Sequence, residues 1–129
     1  MIFNEIYVSA LALLGEDPSG VYSDDYAARA PYLIPILCYN LSHLDRKCRS
    51  DENSGGINYM PSAPVDMHSD FPLSDMLATP AAYYLASILV FDSDETRSDT
   101  LYERFCEMCD GIESSLPCKL EKTVDKYPV

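Results

Sequence analysis

Residues 79–91 read Thr79-Pro80-Ala81-Ala82-Tyr83-Tyr84-Leu85-Ala86-Ser87-Ile88-Leu89-Val90-Phe91, the longest nearly uncharged, helix-competent run in the chain. Its reading decides the fold. Thr79 has the side chain of an N-cap, and Pro80 suits the first helical position, where its missing N–H removes no hydrogen bond. Ala81, Tyr84, Leu85, Ile88 and Leu89 recur at helical spacing. Ala82, Ala86 and Val90 make the flanks apolar as well, so the segment reads as a central helix buried almost all round. At about 1.5 Å per residue it spans roughly 20 Å, too short for the ~30 Å hydrocarbon layer of a membrane.

Upstream, Leu73, Met76 and Leu77 with Ser74 and Asp75 form an entry turn to this helix. Residues 50–72 are polar, carry Gly55-Gly56, Pro61, Pro64 and Pro72, and lack helical periodicity. They read as a long loop, with short extended segments at Ile57-Asn58-Tyr59-Met60 and Val65-Asp66-Met67-His68. Before the loop, Ser23-Asp24-Asp25 supplies a cap and first-turn carboxylates for a long helix. Ala30, Leu33, Ile34, Leu37, Leu41 and Leu44 form one face of it. At about 100° per residue, Tyr32, Ile36, Tyr39 and His43 gather on the opposite face. A helix apolar on two opposed faces is either wrapped completely by its own chain or meets another chain. Pro31 and Pro35 predict a kink or a late start near Pro31. Arg46-Lys47-Cys48-Arg49 places positive charge at the C-terminal end, either as a complement to the helix dipole or as a small docking patch. At the start of the chain, Phe3, Ile6, Tyr7, Ala10, Leu11 and Leu14 make one apolar helical stripe, which Gly15 ends.

Downstream, Ser93 or Asp94 caps a last helix that runs to about Leu116, where Pro117 stops it. Leu101, Phe105, Met108 and Ile112 line its core side. Asp99, Glu103, Glu107 and Asp110 line the other, and carboxylates at i and i+4 repel mildly. This acidic stripe is either an ordinary solvated face or a surface selected to be negative. Residues 118–129, with Leu120, Thr123 or Val124, and Tyr127, read as an extended tail. The expectation is one all-α domain over residues 1–129: about four helices packed around a central helix, with a long irregular loop.

The 129 residues suffice for one core without disulfide staples. A formal charge of −12, from 21 acidic against 9 basic residues, opposes phosphate-tracking nucleic-acid binding and attachment to anionic membranes. Five cysteines, with no basic n-region leading into a long apolar stretch, lead us to expect reduced thiols in a cytoplasmic compartment. No glycine-rich phosphate loop, zinc-protease motif or nucleophile elbow is present. Cys106-x-x-Cys109, with Cys118 as a third ligand, offers the alternative of a small metal-binding or regulatory helical protein. Asp66-x-His68-x-Asp70 would present three ligands if extended. We expect neither to hold metal. His43, beside Tyr39 and Ile36, reads as a packing or interface residue rather than a general base.

The order of these signals, with Arg29-Ala30-Pro31-Tyr32-Leu33 opening a long helix, a loop, Phe71-Pro72-Leu73-Ser74-Asp75, and then Tyr83-Tyr84-Leu85-Ala86, resembles the small helical head–tail connector proteins of long-tailed bacteriophages and prophages. These are also called head-completion or DNA-packaging adaptors. The resemblance implies a non-enzymatic structural protein of the virion, assembled in the bacterial host cytoplasm and needing no cofactor. It further implies a homo-oligomeric ring between the portal protein and the tail or tail-completion proteins, through which double-stranded DNA passes without specific binding. On that reading Tyr32, Ile36, Tyr39 and His43 meet the neighbouring subunit, and Asp99, Glu103, Glu107 and Asp110 line the tunnel. Residues 50–72 would order on meeting the portal or the next subunit.

Overall fold

The computed structural model describes residues 1–17, 20, 23–48 and 62–116. Their four helices are α1 (Phe3–Leu14), α2 (Ser23–Cys48), α3 (Ala78–Val90) and α4 (Glu95–Ser115), with a 3₁₀ turn at Asp75–Leu77. The described chain is all-α, and α3 is its centre. Pro80, Ala81, Ala82, Leu85, Ala86, Ser87, Leu89 and Val90 of α3 are all buried, with α1, α2 and α4 each packed on it. The expected Thr79 cap is not used. Ser74 caps the 3₁₀ turn instead, its hydroxyl accepting from the Met76 N–H at 3.4 Å, and the turn runs directly into α3. Pro80 then falls third in the helix, still within the first turn, whose N–H groups have no intrahelical partner.

Two arginines satisfy helix ends from outside. α3 has no basic residue in its last turn; Arg29 of α2 donates to the Ile88 and Leu89 carbonyls, both at 3.3 Å. Arg97 of α4 donates to the Leu13 carbonyl near the end of α1. Such contacts stabilise a helix C-terminus through both the orphan carbonyls and the dipole. α1 ends as expected at Gly15, whose φ of 72° is left-handed. The Gly15 N–H bonds the Ala12 carbonyl and the Glu16 N–H bonds the Leu11 carbonyl, a Schellman closure.

α2 runs from Ser23 through Pro31 and Pro35, so of the expected kink or late start near Pro31 the late start does not occur. Pro35 has no N–H to give the Pro31 carbonyl four residues back. That carbonyl accepts from the Val65 N–H at 3.0 Å instead, so the connecting loop completes the helix. The same loop caps α1: the Phe3 N–H donates to the Ser69 carbonyl and the Asn4 N–H to the Met67 carbonyl. Phe71 N–H reaches the Met1 carbonyl, a single antiparallel bridge joins Ile2 to Asp70, and the Phe3 and Phe71 rings meet edge-on at 6.3 Å. Residues 65–68 are therefore a bonded strap with a turn in it, not an extended segment. The expected segment at 57–60, the first part of the loop, and the tail at 118–129 lie outside the described residues.

α2 buries Ala30, Ile34, Leu37, Cys38, Leu41 and Leu44, and α4 buries Leu101 and Phe105. Leu33, Met108 and Ile112, expected in the core, are only partly buried. Polar ties fix the register of the helices. Ser98 Oγ donates to the Ser87 carbonyl at 2.7 Å, Asn40 Nδ2 to Tyr84 Oη at 2.6 Å, and Lys47 pairs with Glu113. Asp45, only 1% exposed, accepts from the Ser74 N–H at 2.8 Å and so anchors the entry turn of α3 to α2.

Candidate assembly surface

With its core side on α3 and the loop strapped to Pro31, α2 has a stripe that is left exposed among the described residues. Tyr32, Ile36 and Tyr39 are 56%, 50% and 69% exposed, and His43 is exposed beside them. The four fall within a narrow arc at helical spacing. Between complete wrapping and an open second face, the described chain leaves the face open. A single exposed apolar residue needs no explanation, but a contiguous group of large ones marks an interaction surface.

At the edge of this stripe, Arg29, Tyr84, Phe91 and Tyr102 line an open cleft of about 370 Å³ between α2, the end of α3 and α4. Phe91 and Tyr102 are about half exposed. Tyr84 stacks on Phe105 with ring centroids 4.8 Å apart and meets Tyr102 edge-on at 6.1 Å. Tyr102 hydrogen-bonds Cys106, which is the main cause of its raised phenol pKa. Phe91 closes the apolar run of residues 79–91, yet it is exposed, and Tyr102 is an exposed aromatic that the sequence signals only by its place between the core side and the acidic side of α4. Two further open grooves flank the N-terminal half of α3, neither lined by α2. One is lined in part by Ile6, Leu13, Ala82 and Tyr83, the other by Met76, Pro80, Met108 and Ile112.

Asp99, Glu103, Glu107 and Asp110 are all exposed on the outer side of α4, and Asp99 also borders the cleft. Cys106 and Cys109 are half-buried against the core, and Cys118, the third ligand of the expected alternative set, lies outside the described residues. Burial pushes the Cys109 thiol up to about 11 and the Cys38 thiol up to about 12. Both are protonated at neutral pH and poor nucleophiles. Asp66 turns back to accept from the His68 N–H at 3.0 Å, and the segment does not run extended with Asp70 as a three-ligand array. Among the described residues no group of three or more His, Cys, Asp or Glu is placed to hold a metal, and no helix is long and apolar enough to cross a membrane.

No protein-family model, curated protein or solved structure matches this chain.

Proposed function

We propose that this chain is a non-enzymatic assembly protein, and specifically a head–tail connector of the kind its sequence resembles, forming a ring between portal and tail. The observation that carries the reading is the open stripe Tyr32, Ile36, Tyr39 and His43 on a helix whose other side is already packed. A head-to-tail ring needs two different patches on each copy. The α2 stripe supplies one, and the grooves beside α3 supply apolar surface away from α2 for the other. The exposed acidic side of α4 suits a tunnel wall, because like charge lets a polyanion pass without adhering.

Native mass spectrometry of the full chain over a concentration series, alone and with portal protein, tests this reading. A closed metal-free oligomer in either condition is the expected result. A chain that stays monomeric in both and never joins the portal overturns it. Zinc retained stoichiometrically in the same spectra would favour the Cys106, Cys109 and Cys118 alternative instead.

A further inference from the structure

We infer that the outer face of α2 pairs with the same face of a second copy, antiparallel, about a two-fold axis near the Pro35–Ile36 bond. In order along the helix, the exposed residues of this face are Asp25, Ala28, Tyr32, Ile36, Tyr39, His43 and Arg46. Six of them are arranged symmetrically in sequence about the Pro35–Ile36 bond, Asp25 mirroring Arg46, Ala28 mirroring His43 and Tyr32 mirroring Tyr39, while the seventh, Ile36, mirrors the half-buried Pro35. An antiparallel pair brings each residue against its mirror partner. Opposite charges then meet at both ends, a small side chain meets a large one, tyrosine meets tyrosine, and apolar groups meet at the axis. Residue i touching j while j touches i is the requirement of an isologous interface.

The charges select this arrangement. A parallel pair would set Asp25 beside Asp25 and Arg46 beside Arg46, and a slip of one turn would part both ion pairs. Asp25 and Arg46 lie about 32 Å apart along the axis, so both ends close only at a shallow crossing of about 20°, the class in which helices stay in contact over several turns. Asp25 also meets Arg29 of its own helix at 3.3 Å with its side chain 63% exposed. An exposed pair of that kind contributes little and leaves the carboxylate free to turn outward. Among the described residues Arg46 makes no ion pair of its own. One helix pair is a small interface, so the dimer parts readily. In a ring that uses the same face, this pair would be the form held before assembly.

The pairing does not depend on the connector reading, and its test uses no portal. The full chain is followed by sedimentation equilibrium as wild type, Asp25→Arg, Arg46→Asp and the double variant. We expect a dimer weakened about tenfold or more by each single reversal, two pairs being lost per dimer, and restored to within about threefold by the double reversal. Both positions are exposed, and circular dichroism verifies folding. Ile36→Arg sets like charges at the axis and abolishes the dimer in the same assay. A chain monomeric at every concentration, a dimer indifferent to the reversals, or a double variant as weak as the singles overturns the proposal.

Discussion

Asp45 shows how one side chain sets the geometry of a whole junction. It is a carboxylate in the core, 1% exposed, and it receives the N–H of the residue that caps the entry to α3. Replacing it with leucine leaves the half-buried Ser74 N–H without that acceptor. The expected cost is about 2–3 kcal/mol, read as a lower denaturant midpoint with an unchanged slope. Cys38 carries a second residue-scale consequence. Its thiol is raised from 9.0 to about 12 by burial, so the folded state holds a proton that the unfolded chain releases. That contribution is fully present below pH 9 and is lost as pH rises through 9 toward 12. Chemical denaturation at pH 8 and pH 11 should therefore show a fall in stability, and Cys38→Ala should flatten the part of it that this thiol causes.

At the level of the helices, local chemistry explains what the sequence made legible. The α1 stripe, Gly15 as its stop, the Asp94 cap of α4 and the central position of α3 all rest on side chains acting within a turn of themselves. Gly15 is the sharpest case. Its φ of 72° is unfavourable for any residue with a Cβ, while the nearest contact of such an atom would be an ordinary 4.0 Å to Arg97. Gly15→Ala should thus cost about 1 kcal/mol through backbone conformation alone, a fall of several degrees in Tm for a domain of this size. What the sequence hid depends on groups far apart in the chain. The prolines of α2 predicted a kink or a late start because the Val65 N–H that satisfies the Pro31 carbonyl lies thirty-four residues away. The 3₁₀ turn displaced Thr79 as cap for a similar reason, since Asp45 holds Ser74 in place from another helix. The open stripe on α2 was legible as two alternatives, because periodicity reports which residues share a face and not what covers it.

For the molecule as a whole, the uncovered α2 face has to be separable from the core if it is an assembly surface. Tyr39 decides this. It is 69% exposed, and its side chain lies opposite Leu37 and Leu41, which are buried to 1% exposure or less. Tyr39→Asp should therefore change folding stability by no more than about 0.5 kcal/mol, with circular dichroism and Tm close to wild type. The same change places a charge in the middle of any contact this face makes, and a desolvated unpaired carboxylate is costly. Self-association and joining to the portal should both be lost while the monomer remains folded. Leu41→Asp provides the contrast, since a charge at a position 1% exposed should unfold the chain outright. If Tyr39→Asp unfolds it as Leu41→Asp does, the face belongs to the core and the assembly reading fails. If Tyr39→Asp stays folded and still assembles, the contacts lie elsewhere, and the grooves beside α3 become the surfaces to alter next.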